Sequence, residues 1–69
     1  MPLSNLKVGQ AGKITRIDGK DRAQKHLKNL GFVEGEDVVV INELMGNMIV
    51  NVKGSRVALN NKIASRIIL

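Results

Sequence analysis

A helix end, a tight loop and a buried strand are compressed into the fifteen residues from Leu27 to Ile41, LKNLGFVEGEDVVVI, and few chain paths satisfy all three. Gly31 offers the positive φ that a helix C-terminus favours, directly after the apolar Leu27 and Leu30. Phe32 then falls where its ring can pack back on Leu27. Gly35 reads as a turn, and Asp37 precedes four β-branched residues, Val38 to Ile41, which suit a pleated, packed surface better than a helix. A short helix is therefore expected to feed a β core.

With 69 residues the chain is read as a single domain spanning 1–69. A domain of that size hides only about 60% of the surface its unfolded chain exposes, and one such core rarely supplies more than roughly 3–5 kcal/mol. There is no cysteine for a disulfide or a thiolate metal site, and with one Phe and no Tyr or Trp the interior must be filled by Val, Ile, Leu and Ala. Branched aliphatic filling suits a small barrel. No apolar run approaches the ~20 residues that span a bilayer, and the N-terminus lacks the charged start and apolar stretch of a signal peptide. A cytoplasmic protein is expected, monomeric or weakly homo-oligomeric, without membrane insertion.

Leu3 and Leu6 form a short apolar anchor, and a first strand is expected from Gly12 to Asp18. Ile14 and Ile17 lie three apart, which breaks strict alternation and implies a bulge or strong twist. Asp21 with Gln24 has the spacing of a capping box, so the helix should start at Arg22 and run to about Leu30. On a helical wheel Ala23, Leu27 and Leu30 share one arc, and Arg22, Lys25 and Lys28 the opposite one. Val38 to Glu43 alternates with apolar residues on both faces, as a central strand would. Met48, Val50 and Val52 continue the pattern beyond a hairpin tip at Leu44 to Asn47, and Gly54–Ser55 is a two-residue turn into a strand holding Val57 and Leu59. Asn60 or Asn61 caps a helical turn with Ile63 and Ala64, and the C-terminal Arg66 to Leu69 is a last short strand. The expected fold class is mainly β: about five strands and one helix, closed to remove exposed edges.

The net charge is +5, and residues 1–35 carry net +4 of it. An excess of Lys and Arg invites a nucleic-acid or ribosome-binding reading. Single-stranded nucleic acid on a small barrel calls for stacking rings, however, and the one aromatic residue, Phe32, is already assigned to the helix stop. Catalytic constellations are missing. Nucleophilic chemistry would need Ser4, Ser55 or Ser65 beside His26, and no local spacing supports any of them. Neither G-x-x-x-x-G-K-[ST] nor G-x-G-x-x-G occurs. No catalytic residue and no required cofactor are expected. His26 is the one candidate metal ligand, and Asp21, five positions earlier, lies about 140° away on a helix. Leu44, Met45 and Met48 at the hairpin are expected to form an apolar, adaptable patch that points to a protein partner, with core filling an equally good account of Met48. Arg22, Lys25 and Lys28 complete the candidate contact set.

Leu6, Gly9, Gly12, Ile14, Ile17 and Gly19, then Leu27 to Gly31, Gly35, Val38, Val40, Gly54, Ala58, Leu59, Ala64 and Ile67, together resemble the FeoA family over essentially the whole chain. The resemblance implies a small SH3-like barrel, a module also found at the C-terminus of iron-dependent repressors, which makes a metal-sensing role the alternative. It implies a part in bacterial ferrous iron uptake, as a cytosolic accessory of the membrane permease FeoB, which carries a GTP-binding domain. Ferrous iron itself is the only metal this would bring. In the family a proline often follows the glycine of the hairpin tip; Asn47 stands there in this chain, which implies a more mobile tip.

Overall fold

Four valines face one another at the centre of the molecule: Val38 stands opposite Val52 and Val40 opposite Val50, all of them fully buried. They join the longest strand, β3 (Asp37–Leu44), to β4 (Asn47–Val52). The computed structural model describes every residue from Met1 to Leu69. Before β3 come a 3₁₀ turn at Leu3–Asn5, β1 (Ala11–Lys13), β2 (Arg16–Ile17) and α1 (Asp21–Asn29); after β4 come β5 (Ser55–Asn60), α2 (Asn61–Ala64) and β6 (Ile67–Ile68). β1, β3, β4 and β5 form one antiparallel sheet in that order, and β2 pairs with β6 in a second. Fourteen buried residues, all apolar, fill the space between, and no polar side chain is buried.

The expected first strand is two strands. After Lys13 the Ile14 N–H donates to Glu36 O at 2.9 Å, while the Thr15 N–H donates to Ile68 O at 2.8 Å. The chain thus leaves the large sheet and enters the small one within one residue. Ile14 and Ile17 are both buried, so their three-residue spacing marks a corner between sheets and not a bulge within one. The bulge lies instead in β3, where the register shifts between Val40 and Asn42. An extra residue there flips the alternation: Asn42 faces Ile49 and Glu43 faces Met48, with Ile41 inserted and partly exposed. β3 is central in the sheet, but only its Val38–Val40 face is buried; Val39 and Ile41 look outward.

The helix starts one residue earlier than expected, and Asp21 does not cap it. Lys20 is the N-cap, without a side-chain hydrogen bond, and the Gln24 side chain donates to Ile17 O at 2.7 Å instead of closing a capping box. That bond ties α1 to β2, a tertiary partner that local spacing cannot reveal. The C-terminus follows the expectation closely. The Gly31 N–H donates to Lys28 O and the Phe32 N–H to Leu27 O, both at 3.0 Å, with Gly31 at φ 110°. This is a Schellman closure, and its apolar pair, Leu27 and Phe32, is fully buried. Leu30, expected on the buried arc, is left exposed because the chain turns at that point. The turn after β4 is Lys53–Gly54, both at positive φ, and Ser55 already pairs with Val52. Asn60 caps α2, its Oδ1 accepting from the Ile63 N–H at 2.8 Å.

Gly31→Ala puts a Cβ on a backbone conformation that costs an L-residue about 1–2 kcal/mol. For a domain of this size the melting temperature should fall by roughly 5–15 °C in a thermal scan. An unchanged midpoint would mean that the Schellman closure is not what holds α1 to the sheet.

Candidate functional site

The hairpin between β3 and β4 turns on Met45 and Gly46, with φ of 52° and 80°, the pair of positive values that a type I′ connection demands. Glycine takes such a conformation freely, but a methionine there is uncommon. The Met45 side chain is 94% exposed and that of its neighbour Leu44 62%. The tip is tied down: Asn47 stands opposite Leu44 and Asn60, and the Asn61 N–H donates to Gly46 O at 3.1 Å. Glu43, Leu44, Met45, Gly46, Asn47 and Asn61 surround a shallow concavity of about 290 Å³ beside the tip. Met48 leaves the expected patch. It pairs with Leu59, points into the core and is fully buried, because the sheet alternation that exposes Asn47 turns the next residue inward. The patch is Leu44 and Met45.

Arg22, Lys25 and Lys28 are exposed on α1 as the wheel predicts, and of the three only Arg22 lines a groove. Arg22 and His26, one turn apart, line a groove with Gly19, Lys20, Ala23 and Arg66, about 540 Å³ in volume. Lys25 and Lys28 lie outside it. Arg66 was missed by sequence reasoning, since it is brought in by the second sheet. The Asp18 N–H donates to Arg66 O at 2.7 Å, extending the β2–β6 pairing toward the start of α1. Nothing in the local spacing of Arg66 announces that partnership.

Only two ion pairs form, Arg16 with Asp18 at 3.0 Å and Lys13 with Asp37 at 3.9 Å, all four side chains largely in solvent. Such pairs contribute about 0–1 kcal/mol. No three or more His, Asp or Glu side chains converge as metal ligands would. His26 keeps company with Lys20, Arg22 and Arg66, a cationic setting that opposes a metal cation, so the residues of one chain do not suit ferrous iron at His26. No helix is long and apolar enough to cross a membrane.

The FeoA domain model matches residues 1–69. Among solved structures, the chain is similar to an iron uptake regulatory protein, FeoA, at 33% identity and a TM-score of 0.87, covering 96% of this chain and 88% of that one. It is also similar to Stenotrophomonas maltophilia FeoA solved with zinc, an SH3-domain protein and suggested ferrous iron transport activating factor, at 27% identity and a TM-score of 0.87, over 99% and 87% of the two chains. A manganese-dependent transcriptional repressor shares the fold at 20% identity and a TM-score of 0.85, covering 97% of this chain and 39% of that one. A search of curated proteins gives no match. The architecture is that of an SH3-like barrel.

The two hairpin methionines separate cleanly in their consequences. Met48→Ala should cost about 2–5 kcal/mol in urea unfolding, enough to unfold a large share of the molecules, whereas Met45→Ala should stay within about 0.5 kcal/mol of the parent. Equal effects would contradict the inward and outward assignment.

Proposed function

The chain belongs to the FeoA family, whose members serve ferrous iron transport, and from that membership we propose that it is a non-enzymatic interaction module binding FeoB on the cytoplasmic side of the membrane. Binding would modulate the permease's transport or its GTP turnover. The observation that carries the reading is the hairpin tip: Met45, 94% exposed, is held out from the barrel by a two-residue turn that is itself bonded to α2. A flexible thioether on a fixed mount can fill an apolar recess without ordering a loop. Leu44 widens the apolar contact. Arg22, Lys25 and Lys28 offer positive charge to an acidic rim, where it would speed encounter more than deepen affinity.

The nucleic-acid or ribosome reading loses its main platform, since Phe32 is fully buried and the chain has no other Phe, Tyr or Trp. A metal-sensing role borrowed from the repressors has fold likeness alone behind it.

Calorimetric titration of the chain against the cytosolic region of its cognate FeoB tests the proposal. Saturable binding is expected, weakened about tenfold or more by Met45→Asp, since truncating or charging a central apolar anchor typically costs upwards of 1–2 kcal/mol. Aspartate tolerates the left-handed conformation at position 45, so the variant should melt at the parent temperature. Unchanged affinity in a folded Met45→Asp would exclude the tip as the contact.

A further inference from the structure

The groove at the start of α1 is a concentration of positive charge of which the proposed permease contact uses only Arg22. Three of its six lining residues, Lys20, Arg22 and Arg66, carry permanent cations, and His26 adds an imidazole. Neither ion pair in the molecule neutralises any of them: Asp18 is engaged by Arg16, and Asp37 by Lys13. Asp21 heads the helix but does not line the groove.

Arg66 does not simply wave in solvent. A Cβ built on Gly19 would meet its Cδ at 3.4 Å and its Nη1 at 3.6 Å, and the Ala23 Cβ at 3.9 Å. The guanidinium therefore lies across the Gly19 backbone, alongside the first turn of the helix. Gly19 is at φ 127°, a conformation that leaves this close approach open and that other residues rarely adopt.

The helix start completes the arrangement. Lys20 provides no side-chain cap, and the first helical bond is the Gln24 N–H to Lys20 O. The N–H groups of Asp21, Arg22 and Ala23 thus have no helical acceptor, at the end of the helix where the dipole favours an anion. Two guanidinium forks and an ammonium around one concavity, beside a helix end whose first N–H groups lack helical acceptors, match a multiply charged tetrahedral oxyanion better than a single carboxylate. Lys25 and Lys28 are exposed further along the same helix and do not line the groove.

We propose that the groove formed by Gly19, Lys20, Arg22, Ala23, His26 and Arg66 is a binding site for a phosphate or diphosphate group, presented either by a small soluble molecule or by a lipid headgroup. The site shares no residue with the hairpin tip, and shares Arg22 with the cationic rim of the proposed permease contact.

Two probes distinguish the sources: inorganic pyrophosphate, and vesicles of phosphatidylcholine containing phosphatidic acid. Pyrophosphate is titrated into isotope-labelled protein at constant ionic strength, with sodium chloride as the reference. Saturable shifts are expected at the amides of Gly19 to Ala23 and at the Arg66 side chain. Arg22→Gln/Arg66→Gln should weaken binding about tenfold or more, whereas Lys25→Gln/Lys28→Gln, which removes the same charge, should change it less than about twofold. Binding to the vesicles with little response to pyrophosphate, lost in the first double variant alone, would assign the site to a lipid phosphate. Equal weakening in both double variants, or no saturable response to either probe, would overturn the proposal. The amide spectrum of each variant reports directly whether it is folded.

Discussion

Everything in this molecule hangs on the antiparallel seam between β3 and β4, where Val38, Val40, Val50 and Val52 meet in register. A chain this short has one core and no covalent staple, so each fully buried aliphatic side chain, worth about 1.5–3 kcal/mol, is a large part of the net stability. The seam fixes more than stability. It sets the register of the hairpin, and hence that Met45 and Gly46 occupy the turn while Met48 goes inward. It also gives Phe32 and Leu27 a surface to close on, which places α1 and with it the cationic groove.

The parts of the fold governed by local chemistry were legible in the sequence. Gly31 followed by Phe32 announces the helix stop, because the Schellman bonds and the Leu27–Phe32 contact involve residues within one turn of each other. Asn60 as a cap of α2 is legible for the same reason. What escaped was decided by distant partners. Gln24 looks like half of a capping box but serves Ile17 O, and the Gly12 to Asp18 segment looks like one strand but is shared between two sheets, Gly12 pairing with Val38 and Arg16 with Ile68. The β3 bulge belongs to this class too, since only the β4 register exposes it.

The surface followed the same division. Exposure of Met45 and Leu44 could be read from a glycine-bearing tip, and exposure of Arg22, Lys25 and Lys28 from helical periodicity. The burial of Met48 was legible in the alternation it shares with Val50 and Val52, although its place beside the tip also put it in the candidate patch. Arg66 was not legible: forty-four positions beyond Arg22, it reaches the helix start through β6. The family resemblance rested on glycines and aliphatics, the residues that specify this barrel, and so it identified the fold and the transport role while leaving the contact surface to be argued from geometry.

In the proposed complex, the apolar hairpin tip of the SH3-like barrel meets the permease. A resonance map tests this: the isotope-labelled chain with unlabelled cytosolic FeoB, recording which amides broaden. Loss of signal is expected to centre on Leu44 to Asn47 and the adjoining Asn61, with the interior of β4 undisturbed. Broadening confined to the opposite sheet face, or none at saturating partner, would contradict it.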